Sequence, residues 1–288
     1  MLTVAQAFER FIQDLRLREG EAREATRQQE FVFNAMRRRL GPKESILSGS
    51  YGRNTAIRPL HDIDLFLVFS DGASIRRTAP EDFLIKVKQA LEAEFSGKQA
   101  RLQNRSVNID FTTTGIGFDV VPAAEDSRQR DVYWIPDRRS GEWIRSNPRV
   151  HQATCDNANE RAGKKLKPLI KVVKRWNQLR QKPVPSFLLE VLACESTSTL
   201  SFQVSYAAGM SQLFAFMRDH VMVRCLEPAR LGPPVNAGIE PGYLQQAQQR
   251  LTEAARKSVW AVELERRGDM SAAVDAWREL LGPDFPVR

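Results

Sequence analysis

Cysteine is scarce in this 288-residue chain: Cys155, Cys194 and Cys225 are the only three, far apart and without a C-x-x-C pair. An odd, scattered set supports neither a disulfide framework nor a zinc finger, and it fits a reducing, cytoplasmic setting. Histidine is as rare, with His61, His151 and His220 dispersed along the chain. No apolar run reaches the roughly 20 residues needed to cross a bilayer, so no membrane association is expected. The opening MLTVAQAFERFIQDLRLRE is amphipathic with early charges and lacks the apolar block of a signal peptide. Internal repeats and low-complexity tracts are also missing. What is present is ordinary globular material, 42% hydrophobic and 27% charged. Lys and Arg number 43 against 35 Asp and Glu, a net charge of +8 that suits a polyanionic ligand without requiring one. At roughly 100–200 residues per domain, the length predicts two domains or lobes.

Helical spacing runs through residues 2–40, with Val4, Phe8, Phe11, Ile12 and Leu15, then Phe31, Phe33, Met36 and Leu40. Ile46-Leu47 leads into Gly49-Ser50. Ile63, Leu65, Leu67 and Phe69 then alternate with Asp62, Asp64, Phe66 and Val68, the pattern of a strand. Phe83, Val87, Leu91 and Phe95 predict a helix over 80–95, and two further strands are predicted at 106–112 and 116–121, joined by a Thr/Gly-rich turn. Residues 123–148, rich in charge, Trp, Tyr and Pro, are expected to form loop or short elements. From Asn157 onward the patterns are helical, including 203–217 and 243–267, and Trp176, Trp260 and Trp277 are expected in the core.

The chemistry concentrates in Gly49-Ser50-Tyr51-Gly52-Arg53-Asn54-Thr55, followed by Asp62-Ile63-Asp64. Residues two apart on a strand share a face, so Asp62 and Asp64 project side by side. Two carboxylates held so close repel unless a cation lies between them. Mg²⁺ takes oxygen ligands and keeps waters and phosphate oxygens in its shell, so the pair can anchor a metal-bound nucleoside triphosphate. Glycine lets backbone amides approach a phosphate, and Ser50 can offer a hydroxyl at a helix start. A third carboxylate would complete a two-metal site. Asp110 in VNIDF and Asp119 in FDVVP both fit, and pattern alone does not separate them. Tyr51, Arg53 and Arg58 read as exposed loop residues, and His61 as a turn residue rather than a base.

GSYGRNTAIRP with DIDLFLVF, and later FDVVPA, resembles the catalytic core of the polymerase-beta-like nucleotidyltransferase superfamily. More narrowly it is similar to the bacterial cGAS/DncV-like nucleotidyltransferases, relatives of oligoadenylate synthetase that make cyclic oligonucleotide signals in anti-phage defence. LIKVVKRWN, PSFLLEVLA and DAWRELLGPDFP extend the resemblance over nearly the whole chain. It implies an α+β, bilobal fold: a nucleotidyltransferase sheet with flanking helices, then a helical lobe closing over the nucleotide. The expected domains are 1–150, including the N-terminal helix, and 151–288. The resemblance implies Asp62, Asp64 and Asp119 as metal ligands, and Gly49, Ser50, Lys174 and Ser186 as donor-triphosphate contacts. Spacing agrees with the last two without establishing them: Lys174, after Val173 and two before Trp176, lies close to the apolar stripe and is the lysine best placed to point into a cleft. Lys164, Lys165, Lys167, Lys171, Lys174 and Arg175 read mostly as a solvated basic face, and Ser186 after Pro185 reads as a helix N-cap.

The expected activity is Mg²⁺-dependent nucleotidyl transfer, with Mn²⁺ as an alternative ion, from ribonucleoside triphosphates to a cyclic oligonucleotide and without a covalent enzyme intermediate. A regulatory protein partner is compatible with this, nucleic acid is not required, and a monomer is expected. Three alternatives compete. One is an RNA 3′-end transferase of CCA-adding or poly(A) type, disfavoured because the basic residues form no long tract and a chain this short leaves no separate RNA-binding module. A second is a non-catalytic nucleotide- or RNA-binding relative, disfavoured because every carboxylate position is filled. The third is an antitoxin-linked transferase, which would lack the tail pattern.

Overall fold

The computed structural model describes residues 2–111, 115–202 and 204–288. The chain forms two compact units, one of Leu17–Gln152 and one of Met1–Arg16 with Ala153–Arg288. In chain order the elements are α1 (Val4–Leu15), α2 (Glu19–Leu40), β1 (Glu44–Leu47), α3 (Gly49–Gly52), β2 (Asp62–Phe69), α4 (Gly72–Ile75) and α5 (Pro80–Glu94). Next come β3 (Arg101–Leu102), β4 (Val107–Phe111), β5 (Ile116–Glu125), β6 (Tyr133–Asp137) and β7 (Glu142–Ser146). Among the described residues the helices α6 (Pro148–Arg161), α7 (Leu166–Leu179), α8 (Ser186–Ser196), α9 (Tyr206–His220), α10 (Pro241–Arg266) and α11 (Met270–Leu281) follow.

The unit of Leu17–Gln152 is built on a mixed sheet in the order β1-β2-β5-β4-β3, with β6 paired to β5 and β7 to β6. β2 and β5 run parallel at its centre, and the other pairs are antiparallel. Alternation along the strands divides the side chains between two faces. Ile63, Leu65, Leu67, Val107, Ile109, Phe118 and Val120 form one face, covered by Ala25, Val32, Ala35 and Met36 of α2 and Phe83, Leu84, Val87 and Leu91 of α5. α2 is favourably built, with Glu19 and Glu21 in its first turn, Arg37–Arg39 in its last, and Gly41 left-handed at φ 73° as its C-cap. The opposite face gathers Phe66, Val68, Val121, Ala123, Tyr133 and Ile135. On that face β2 therefore starts acidic, at Asp62 and Asp64, and turns apolar at Phe66.

Two strand expectations are met by β4 and β5; the turn expected between them falls on residues 112–114, outside the described residues. The stretch expected as loop or short elements holds two short strands, paired as the β6–β7 hairpin with Tyr133 opposite Ser146 and Asp137 opposite Glu142. Its turn is organised by Asp137, whose Oδ1 accepts from the amides of Arg139 and Ser140, each at 3.1 Å.

The second unit is helical, and it claims α1. The reading of residues 1–150 as one domain with the N-terminal helix is corrected at this point. Phe8 meets Trp277 edge-on at 4.9 Å and Phe285 at 5.2 Å, and Phe11 meets Phe285 at 5.3 Å. α1 buries Val4, Ala7, Phe8, Phe11, Ile12 and Leu15, so its apolar stripe is spent on the carboxy-terminal helices. Trp176 and Trp277 are core as expected, whereas Trp260 is 52% exposed. The buried stripe of α10 is made of Leu244, Ala247, Leu251, Ala254, Ala255, Ser258 and Ala261, and Trp260 lies off it. The expected helix start at 203 lies outside the described residues; α9 opens at Tyr206, capped by the Ser205 hydroxyl.

Candidate active site

The sheet brings the singled-out carboxylates onto one face. Asp64 lies opposite Asp119 and Asp62 opposite Gly117 across β2 and β5. β4 adds Asn108 opposite Asp119 and Asp110 opposite Gly117. Asp110 and Asp119 thus share the face of the Asp62–Asp64 pair, which is why alternation along the sequence could not choose between them. Gly117 is the floor of this patch. A Cβ there would sit 2.8 Å from Oδ1 of both Asp62 and Asp110, so only a glycine lets the two carboxylates close over the strand.

β1 leads straight into the glycine-bearing turn. The Ser48 amide donates to the Asp64 carbonyl at 2.9 Å, fixing the turn beside β2. Gly49 adopts φ +59°, and a Cβ on it would land on the Asp64 carboxylate. Both the backbone conformation and the close approach exclude other residues. The Ser50 carbonyl accepts from the amides of Thr55 and Ala56, at 2.8 and 2.9 Å, and closes the loop on itself. Tyr51 Oη donates to the Ala22 carbonyl at 3.3 Å and Arg58 pairs with Glu21 at 2.9 Å, both tying the loop to α2. Tyr51 and Arg58 are half-buried and Arg53 is buried, which corrects their reading as exposed loop residues.

Asp119 is half-buried on β5. Burial is the largest influence on its carboxyl and, with repulsion from Asp62 and Asp110, raises its pKa above the usual aspartate value. Two hydrogen bonds oppose the rise, from Asn108 Nδ2 and Gln103 Nε2, both to Oδ1 at 2.9 Å. Asp110 is engaged elsewhere: the Arg101 guanidinium donates to its Oδ2 at 2.6 Å. Asp62, Asp64 and Asp119 lie together on this face, and carboxylate oxygens are donors of the kind a divalent ion takes. Among the described residues no three carboxylate, imidazole or thiolate groups form a ready-made cage. Mg²⁺ does not need one, since it binds through one or two carboxylates and completes its octahedron with waters and phosphate oxygens. Hard oxygen donors on one face, already repelling each other, match that demand.

In the helical unit Lys174 is buried on α7 and pairs with Glu190 of α8 at 3.0 Å. Ser186 is exposed and is the first helical residue of α8, with Pro185 at the N-cap, so the capping role read from sequence shifts by one position. The basic segment is no solvated face. Lys165 donates to the Val204 carbonyl at 2.6 Å, Lys167 pairs with Asp156, and Arg175 with Asp284. Lys171 is only 7% exposed. Sequence reasoning missed Asn108 and Gln103; their signal was polar residues beside an apolar strand, two and seven positions before Asp110.

A family model described as the Second Messenger Oligonucleotide or Dinucleotide Synthetase domain matches residues 1–159. The chain is 24% identical to a probable cyclic nucleotide synthase of Bacillus cereus, over 85% of this chain and 82% of that protein. It is 26% identical to a cyclic AMP-AMP-AMP synthase of Acinetobacter sp., over 84% and 72%. The solved structure of Escherichia coli CdnC with ATP superposes with a TM-score of 0.79 over 99% of both chains at 18% identity. Vibrio cholerae DncV, a cyclic AMP-GMP synthase, superposes at 0.66 over 85% of this chain and 69% of its own at 16% identity. The family model spans more than half of the sequence, and the fold is that of these solved enzymes. The chain belongs to the Second Messenger Oligonucleotide or Dinucleotide Synthetase family and is a nucleotidyltransferase.

Proposed function

We propose that this protein joins ribonucleoside triphosphates into a cyclic oligonucleotide signal at the acidic face of β2 and β5. The observation that carries the reading is the register of Asp64 opposite Asp119, with Asp62 on the same face and Gly49 packed against Asp64. Asp62, Asp64 and Asp119 would hold Mg²⁺ or Mn²⁺. When bound, such an ion neutralises phosphate charge and makes a ribose hydroxyl a better nucleophile. The Gly49-Ser50 turn holds the triphosphate by close backbone approach, and its rigid loop keeps that position fixed. The hydroxyl of one nucleotide attacks the α-phosphorus of another, and pyrophosphate leaves. Catalysis here is positioning and charge neutralisation.

The family resemblance implies Lys174 and Ser186, both in the helical unit, as contacts of the donor triphosphate. The anti-phage role follows the curated relatives, two of which are named CBASS oligonucleotide cyclases. A solved relative is a CdnC in complex with a HORMA protein, and a regulatory protein partner is part of this proposal.

The test is incubation with ATP, GTP, CTP and UTP, singly and together, with Mg²⁺, then phosphatase and mass spectrometry. A phosphatase-resistant cyclic product formed without RNA supports the reading, and its loss in Asp62→Ala and Asp64→Ala ties it to these residues. Nucleotide addition only to an added RNA 3′ end would point to the RNA-directed alternative.

A further inference from the structure

We propose that Asn108 and Gln103 are positioning residues that commit Asp119 to offering one particular oxygen, Oδ2, to the divalent cation. The inference rests on the metal-dependent reading above. Both amides donate to the same atom, Asp119 Oδ1, at 2.9 Å each. Each amide is itself held in one orientation. The Arg101 guanidinium donates to Asn108 Oδ1, which turns Nδ2 toward Asp119. The Ser106 hydroxyl donates to Gln103 Oε1 at 2.8 Å, which turns Nε2 the same way. Asn108 is 3% exposed, so its amide has little freedom to turn away.

A half-buried carboxylate beside two others would otherwise rotate between oxygens or swing from its repelling neighbours. With Oδ1 saturated by two fixed donors, Oδ2 is the oxygen left to a cation shared with Asp62 and Asp64. Outer-shell partners of this kind fix ligand orientation, and their removal typically weakens metal binding about 10- to 100-fold. Arg101 extends the arrangement, because the same guanidinium also holds Asp110 at 2.6 Å and keeps that fourth carboxylate off the shared ion.

The experiment is a Mn²⁺ titration of the nucleotide-free protein followed by electron paramagnetic resonance, on wild type, Gln103→Leu and Asn108→Leu. Gln103 is exposed, so Gln103→Leu keeps the fold even where a change at buried Asn108 does not. The expected result is Mn²⁺ affinity weakened about 10-fold or more in both variants, with product formation recovered at high Mn²⁺. Gln103→Leu binding Mn²⁺ like wild type would overturn the positioning role while leaving the function intact. A wild-type protein that binds no Mn²⁺ and makes no product would instead overturn the reading on which the role rests.

Discussion

Asp119 shows at the scale of one residue how the acidic face trades stability for chemistry. Its pKa is raised by burial and by Asp62 and Asp110, so the folded protein holds this proton more tightly than the unfolded chain does. Stability contributed here is therefore lost as pH rises from the ordinary aspartate range through the raised value. Asp119→Asn removes that cost. Its melting temperature at pH 7 without divalent ions should equal or exceed that of wild type, while synthesis falls at least about 100-fold. Calorimetry beside a product assay checks both, and a clearly lower melting temperature would show Asp119 to be a structural residue. Gly49→Ala should be as inactive as Asp64→Ala, because its methyl occupies the place of that carboxylate. Gly117→Ala, pressing on Asp62 and Asp110 from 2.8 Å, should lower activity with a milder effect, since carboxylates can swing aside. Circular dichroism separates these losses from unfolding. D-x-D with an upstream Gly-Ser made half of this site legible, because strand alternation alone puts Asp62 and Asp64 together. The pairing of Asp119, and the amides that hold it, depend on strand register, which no local pattern encodes.

Among the elements, α7 departs furthest from its sequence reading. Its lysines looked like a solvated face, yet Lys171 is buried near Lys167, Lys174 and Arg16. Burial, with those like charges, pushes its pKa down to about 8 from the ordinary lysine value of 10.5. The unfolded chain holds that proton more tightly, so stability rises with pH between about 8 and 10.5. Lys171→Met should raise stability at pH 7 by about 1–2 kcal/mol and a few degrees in Tm, with the advantage shrinking toward pH 10. Chemical denaturation at both pH values measures this; a destabilised variant would mean that Lys171 has a compensating anion. The long periodic helices and the central strands were legible because their apolar stripes match 3.6 and 2 residues. The β6–β7 hairpin was not, since it carries Trp134, Pro136 and charged residues and joins β5 through only the Ala124–Trp134 and Glu125–Tyr133 pairs.

Across the whole molecule the chain begins in the helical unit, passes through the sheet unit and returns. Composition gave no hint of this, because the apolar stripe of α1 fits either unit and only the aromatic contacts of Phe8 and Phe11 decide. Phe8→Ala should cost about 3–5 kcal/mol, felt by α11 and α7 rather than by the sheet. Hydrogen exchange resolved by element would show it, and loss of protection centred on β2 and β5 would contradict it. The central claim is that one acidic face, built by the parallel pairing of β2 and β5, is where triphosphate and metal meet. Its most direct measurement is a crystal grown with Mn²⁺ and a non-hydrolysable triphosphate analogue, with the ion located by anomalous scattering. The account predicts Mn²⁺ in contact with Asp62, Asp64 and Asp119 and phosphates against Gly49 and Ser50. An analogue and ion bound elsewhere, with the three aspartates uncoordinated, would contradict it.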